Sequence, residues 1–214
     1  MTPDSTLAPK PKLRGVLHLI GALFALPAGL MLCLEADERY TWGAIVYSLS
    51  LFFLLVTSAT YHVPDWSARP RALLRKLDHA MIFILIGGSF VPFLMALSGK
   101  LLWVFPALIG LGTLVGVLRS LFMQASSKAV RAASYGSLGL AGLFLVPAIY
   151  QHLGGVTLAL VLVGGAIYGL GASAYAFKRP NLVKQIFEYH ELFHLCVNVA
   201  ATLHFIAIWQ VTVS

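Results

Sequence analysis

Residues 42–63, WGAIVYSLSLFFLLVTSATYHV, form an apolar run without a single Asp, Glu, Lys or Arg. A helix needs about 20 mostly apolar residues to cross a lipid bilayer, so this run predicts a transmembrane helix. The whole chain has the same character, because 59% of its 214 residues are hydrophobic, only 11% are charged and the mean hydropathy is +0.85. A water-soluble domain carries roughly a quarter charged residues. The composition therefore excludes that class and indicates an integral membrane protein.

Six further apolar segments predict an all-α integral membrane fold, a bundle of seven transmembrane helices. The predicted helices lie at roughly 15–34, 42–63, 78–97, 101–118, 132–150, 156–176 and 187–210. The first follows a basic segment, as a signal peptide does, but it is long enough to span and is expected to stay as an anchor. The connections are too short for a second domain. We therefore expect residues 1–214 to form one transmembrane domain, with 1–14 as its basic N-terminal segment.

The basic residues fix the expected orientation. With seven spans, thirteen of them fall on the side of the N-terminus and two, Arg39 and Lys100, on the other. The thirteen are Lys10, Lys12, Arg14, Arg69, Arg71, Arg75, Lys76, Arg119, Lys128, Arg131, Lys178, Arg179 and Lys184. Cytoplasmic loops carry such an excess, so the N-terminus is expected in the cytoplasm and the C-terminus outside, in a multi-pass protein of the cell membrane.

The placement of these charges also bears on partners. The basic residues are divided among short loops and lack the concentrated stripe that nucleic-acid binding needs, so no nucleic-acid partner is expected. The same loops lie where they can contact anionic lipid headgroups.

Histidines mark a candidate metal site. His190 and His194 are one helical turn apart and share a helix face, which is how a helix offers two ligands to one metal ion. In the predicted topology His62 ends the second helix at the same membrane depth. Ionisable groups within spans are costly and usually have a partner or a function. We expect these three residues to bind Zn²⁺, which keeps a fourth position for water in catalytic sites.

Two polar residues accompany the predicted ligands. Asp78, at the start of the third predicted helix, could act as general base towards that water, although it could also be only an N-cap. Ser58 lies one turn before His62 and could orient its ring or hold a substrate oxygen, or bond back to its own helix. His18 is interpreted as a hydrogen-bonded bundle residue.

His204 is not expected in the site. It follows His194 by ten residues, which is about 15 Å along a helix, too far to reach the same ion.

Glu191 is a rival for the role of base. His190-Glu191-x-x-His194 matches the pattern in which a metalloprotease helix supplies two zinc ligands and a catalytic glutamate. Its location in a transmembrane helix, and the presence of Asp78 and His62, weigh against a protease. Glu191 is therefore kept as an alternative base and as a charge that favours the helix N-terminus.

The joint pattern resembles the hemolysin III family, the bacterial branch of the group that includes adiponectin and progestin receptors and, more distantly, alkaline ceramidases. The similarity covers nearly the whole chain. The pieces that carry it are Ser58-x-x-x-His62, Leu77-Asp78-His79, Leu85-Ile86-Gly87-Gly88-Ser89-Phe90-Val91-Pro92-Phe93, Gly164-Gly165-x-x-Tyr168-x-x-Gly171, and His190-Glu191-x-Phe193-His194 running to His204-Phe205. The resemblance implies seven helices, a cytoplasmic N-terminus, and zinc held by His62, His190 and His194 beside Asp78 and Ser58.

The residues favour one function and leave two alternatives. The preferred one is a zinc-dependent membrane hydrolase that acts, like a ceramidase, on an amide or ester of a membrane lipid near the cytoplasmic face. The alternative is a membrane regulator or receptor of the same wider family in which zinc is structural. A lytic pore, the activity in the family name, receives no support, because a pore needs polar residues at successive depths and here they concentrate at one end.

The topology can be tested directly. Reporter fusions or cysteine labelling are expected to place the 64–77 segment in the cytoplasm and Ser214 outside, because thirteen basic residues lie on the first side and two on the second. Both termini on one side of the membrane would contradict seven spans.

Overall fold

The computed structural model describes residues 10–96, 104–123 and 127–213. Within those ranges the regular secondary structure is helical, apart from one β-bridge between Val183 and Phe187. The helices are α1 (Val16–Glu35), α2 (Thr41–His62), α3 (Ala68–Ala96), α4 (Val104–Phe122), α5 (Lys128–Leu140), a 3₁₀ segment (Ala141–Leu145), α6 (Val146–Phe177) and α7 (Tyr189–Thr212). Residues 1–9, Lys100, Ser214 and the predicted helix boundaries at 97 and 101–103 lie outside the described residues.

Six stretches of the described chain are long and apolar enough to cross a membrane. Five of them are α1, α2, α3, α4 and α7, and the sixth is the continuous stretch Lys128–Phe177, which comprises α5, the 3₁₀ segment and α6. The prediction of an integral membrane helical bundle is thereby confirmed.

The stretch Lys128–Phe177 folds back on itself. A straight helix would separate residues 131 and 175 by about 66 Å, yet Arg131 Nη2 donates a hydrogen bond of 3.2 Å to the Tyr175 hydroxyl. The helical backbone is broken at Gly154, where φ is 82° and ψ is 170°. Glycine adopts such a positive φ without the steric penalty of a Cβ. The reversal at Gly154 therefore brings the two ends of the stretch together.

Helix α3 begins at Ala68, ten residues before its predicted start. Residues 68–77, ARPRALLRKL, are mostly Ala, Leu, Arg and Lys, which favour helix. Pro70 falls in the first turn, where a missing N–H is tolerated. The prediction followed the apolar segment, whereas the helix begins ten residues before it, in a basic segment. The predicted 64–77 loop is correspondingly shorter.

Small residues bring the helices close together. A Cβ at Gly88 of α3 would lie 2.5 Å from Ser50 Oγ of α2, and one at Gly116 of α4 would lie 2.2 Å from the Phe83 ring of α3. Between α2 and α7, the buried Tyr47 hydroxyl donates a 3.1 Å hydrogen bond to the carbonyl of Ala201. These contacts hold α2 close to α3 and α7, and α3 close to α4.

The two cysteines, Cys33 and Cys196, are free. Cys33 Sγ lies 3.8 Å from Ser48 Oγ. The prediction that the pair forms no disulfide agrees with this arrangement.

A matched pair of glycines in α4 tests the packing. Gly116→Ala is expected to destabilise the protein by about 1–3 kcal/mol, because the new methyl group would overlap the Phe83 ring. Gly110 faces open space, so Gly110→Ala should be neutral or stabilise by up to about 1 kcal/mol through helix propensity. Thermal unfolding in detergent would compare the two. Equal stability of both variants would contradict this account of the interface.

Candidate metal centre

Three imidazoles meet where the end of α2 approaches the start of α7. His62 is the last residue of α2, and His190 and His194 lie in the first two turns of α7. Their candidate ligand atoms all lie within 4.8 Å of one another. His62 and His194 are buried and His190 is half-buried. Among the described residues, this buried cluster could hold a metal ion.

The start of α7 is fixed by a reciprocal capping arrangement. The Glu188 side chain accepts from the backbone N–H of Glu191, and the Glu191 side chain accepts from the backbone N–H of Glu188. This capping box sets the helix start, so His190 falls in the first turn and His194 one turn later on the same face. Their ring centroids are 4.7 Å apart.

The N-terminal segment closes the cluster on the side of α2. Gly15 has φ of 82°, and a Cβ there would lie 2.6 Å from His62 Cβ. Only glycine satisfies both the positive φ and this close approach. The segment before α1 therefore packs directly against one candidate ligand.

The separation of one pair of ring nitrogens fits a tetrahedral metal ion. Two nitrogens bound at zinc–nitrogen distances of 2.0–2.1 Å lie about 3.3 Å apart at the tetrahedral angle. The separation between His62 Nε2 and His190 Nε2 is 3.3 Å. His194 Nδ1 is buried and has no hydrogen-bond partner in the described part of the chain. A coordinated ion would account for the convergence of three nitrogens with no carboxylate among them.

Asp78 and Ser58 lie beside the cluster. Asp78 Oδ2 is 3.8 Å from His62 Nε2, and the Ser58 hydroxyl donates a hydrogen bond to the Asp78 carboxylate. Because α3 begins at Ala68, Asp78 lies in its third turn and the N-cap interpretation is wrong. A hydroxyl has one proton to donate, so Ser58 bonds to Asp78 rather than to the backbone of its own helix.

Both carboxylate oxygens of Glu191 are bonded to groups outside the histidine cluster. Its carboxylate is fully buried, with Arg14 Nε paired to Oε1 and the Glu188 backbone N–H donating to Oε2 at 2.9 Å. Both oxygens therefore serve the start of α7 and its ion pair with the N-terminal segment. This arrangement favours the predicted role at the helix N-terminus over that of an alternative base.

His18 has a place that the sequence analysis did not anticipate. Its ring stacks on His194 with 3.8 Å between centroids and 7° between planes, and only 3% of the residue is exposed. It was expected as a hydrogen-bonded bundle residue, and no contact with a candidate ligand was predicted. The only sequence signal was its polarity within an apolar helix, and that gives no information on which histidine it faces.

His204 lies apart from the cluster, as expected. Its Nε2 is 3.2 Å from the carbonyl oxygen of Val161, and its ring packs against Gly164 and Tyr168. It therefore joins α7 to α6.

A cavity of about 770 Å³ lies between α2, α3 and α4. Its lining is mostly apolar and includes Val91, Met95 and Ile109. Thr57 and Met81 also line it. Thr57 directly precedes Ser58, and Met81 follows Asp78 by three residues. Since residues three apart are neighbours on a helix face, Met81 marks the part of the cavity that approaches Asp78.

The fold and the cluster together define a multi-pass membrane protein with a buried histidine centre, and comparison with known proteins gives its family. Residues 7–205 match the family described as haemolysin-III related, and the chain belongs to that family. It is 28% identical to hemolysin-3 of Bacillus cereus over 90% of this chain and 87% of the relative. A hemolysin-3 homolog of Bacillus subtilis is 25% identical over 77% and 79%, respectively.

A relative from the wider group also matches. The adiponectin receptor protein of Drosophila melanogaster is 26% identical over 88% of this chain, which spans 47% of that receptor. These comparisons confirm the resemblance drawn from the sequence and agree with a location in the cell membrane.

The ligand set can be tested by metal analysis. Purified protein is expected to carry about one zinc ion per chain. Alanine at His62, His190 or His194 should remove it, and a chelator should lower the thermal midpoint of the native protein only, because metal binding stabilises the assembled site. His204→Ala is the matched control from α7 and should retain the ion. Equal loss of zinc from the His204 variant would refute the assignment.

Proposed function

We propose that this protein is a zinc-dependent membrane hydrolase that cleaves an amide or ester bond of a membrane lipid. The observation that carries the proposal is the position of Asp78, whose Oδ2 lies 3.8 Å from His62 Nε2 in the histidine cluster. A structural zinc site is usually closed by four protein ligands, and the histidine cluster supplies three. A catalytic site needs three ligands, an open position and a base.

Seven membrane crossings form part of the proposal. The two parts of Lys128–Phe177 on either side of Gly154 would be about 39 and 35 Å long as helices, and each is long enough to cross the hydrocarbon core. Counting them separately turns six apolar stretches into seven crossings. An odd number agrees with the charge asymmetry, which favours a cytoplasmic N-terminus and an outer C-terminus. The histidine cluster would then lie near the cytoplasmic face.

His62, His190 and His194 would hold the ion. Zinc in such a site polarises a carbonyl and lowers the pKa of a coordinated water towards about 7. Asp78 would accept the proton from the attacking water and return it to the leaving amine or alcohol. Ser58 orients this carboxylate through its hydrogen bond. His18, stacked on His194, would hold that ligand ring in place.

The cavity supports a lipid substrate. A drug-sized or lipid ligand needs a mostly apolar site of about 300–1,000 Å³, and the space between α2, α3 and α4 has about 770 Å³. The lining would take an acyl chain, and Thr57 and Met81 would place the reacting carbonyl near Asp78. A lipid held there can enter from the bilayer without crossing the aqueous phase.

The second candidate is a membrane regulator or receptor with structural zinc. The observation that favours it is the tight embedding of the cluster, with His194 only 2% exposed and stacked on His18. Metal would then serve to hold α2 and α7 together.

Asp78 separates the two candidates. Asp78→Asn keeps the size of the side chain but cannot accept the proton, so turnover of lipid amides or esters should fall by about 10²–10⁴-fold while zinc content and the thermal midpoint are retained. Asp65, whose side chain is 93% exposed, offers a matched control, and Asp65→Asn should keep full activity. Glu191→Gln should instead lower the thermal midpoint, because it weakens a buried pair with Arg14.

Two outcomes would overturn the hydrolase proposal. One is full turnover by Asp78→Asn. The other is the absence of zinc-dependent hydrolysis by the native protein across a panel of ceramides, N-acyl amines and glycerolipid esters, which would leave the regulator with structural zinc as the better explanation.

A further inference from the structure

A small polar pocket lies between α3, α4 and α5, on the other side of α3 from the histidine cluster. Its lining includes His79 of α3, Arg119 and Ser120 of α4, and Arg131 and Tyr135 of α5. None of the lining residues in the described chain is Asp or Glu. The residue before His79, Asp78, bonds to Ser58. The pocket therefore gathers two guanidinium groups without a carboxylate in its wall.

Tyr135 contributes an unused donor. The residue is 9% exposed, and its buried hydroxyl has no hydrogen-bond partner in the described part of the chain. Its ring is held edge-on by Phe83 at 4.9 Å between centroids. A buried hydroxyl without a partner costs about 1–3 kcal/mol, so a ligand that accepts its proton would remove that cost.

The arginines are held in place by their own helices and neighbours. Arg119 Nη1 donates to Ser134 Oγ, and Ser134 in turn donates to the Val130 carbonyl at 2.7 Å. Arg131 Nη2 donates to the Tyr175 hydroxyl at 3.2 Å. A guanidinium has five N–H donors, and the bond to Ser134 uses one of those of Arg119. Two preorganised arginines are the arrangement that recognises phosphate.

We propose that this pocket, defined by Arg119, Arg131 and Tyr135, binds a phosphate group at the membrane surface. Its enclosed volume is about 20 Å³, which admits one oxygen-sized group. One phosphate oxygen would enter and accept from Tyr135, and the rest of the anion would lie at the mouth between the arginines. The group is either the headgroup phosphate of a membrane lipid or inorganic phosphate. The site does not depend on the hydrolase proposal.

The test uses the full chain in phosphatidylcholine nanodiscs. Inorganic phosphate is titrated at constant ionic strength in one arm, and phosphatidic acid replaces part of the phosphatidylcholine in the other, with the thermal midpoint as readout in both. We expect a saturable rise in at least one arm, because a ligand that binds only the folded state stabilises it. A rise with phosphatidic acid alone identifies a lipid headgroup as the source, and a rise with inorganic phosphate alone identifies the free ion.

Substitutions of the pocket residues test whether the rise in thermal midpoint comes from binding in this pocket. Arg119→Gln and Arg131→Gln should each weaken binding about tenfold or more. Tyr135→Phe keeps the ring against Phe83, and therefore the fold, and should weaken binding about three- to tenfold. The matched control is Arg69→Gln, which removes an exposed charge outside the pocket and should change affinity less than twofold.

Three results would overturn the proposal. They are no saturable response of the native protein in either arm, a loss in Arg69→Gln as large as that in Arg119→Gln, or unchanged affinity in Tyr135→Phe. The second would mean that general surface charge, rather than this pocket, produces the signal.

Discussion

The buried ion pair between Arg14 and Glu191 is the interaction on which the histidine end of the bundle depends. A carboxylate with no exposed surface is costly in a membrane protein unless it is paired and hydrogen-bonded. The Glu191 carboxylate is paired with Arg14 and also accepts a hydrogen bond from the backbone N–H of Glu188. The first contact anchors the N-terminal segment and the second starts α7. Both contacts lie next to a histidine in the sequence, because His18 follows Arg14 by four residues and His190 directly precedes Glu191.

Close helix contacts then bring the remaining groups to this point. Gly15 allows the N-terminal segment to lie against His62, and the hydrogen bond from Tyr47 to the Ala201 carbonyl joins α2 to α7. Association of helices in lipid relies on such packing, since the hydrophobic effect does not distinguish a neighbouring helix from lipid tails. Close backbone approach at Gly15 and the hydrogen bond of Tyr47 thus both contribute to the convergence of the three imidazoles.

The sequence predicted the class of fold and the residues of the candidate centre because both follow from local rules. Apolar length indicates a membrane helix, and the i, i+4 spacing places His190 and His194 on one face. The helix starts were less predictable. Hydropathy marks where the membrane begins, whereas α3 begins earlier, at Ala68, in a basic segment of good helix formers.

Contacts between distant segments were beyond prediction for a different reason. The stacking of His18 on His194 and the pairing of Arg14 with Glu191 depend on how α1 and α7 rotate about their axes. Charge balance and periodicity restrict that rotation only loosely. The sequence could therefore offer Glu191 as a base, and only the geometry showed that its two oxygens are already bonded.

Helix α3 links the two polar sites of the molecule. Asp78 and His79 are consecutive, so they point about 100° apart around the helix, one beside the histidine cluster and the other in the pocket with Arg119 and Arg131. The helix is held on both sides by glycine contacts, Gly88 against Ser50 of α2 and Gly87 against Thr113 of α4. A rigid element between two sites fixes their separation. A headgroup anchored on one side of α3 would thus lie at a constant distance from a carbonyl on the other, which is how binding energy far from a reacting bond orients it for reaction.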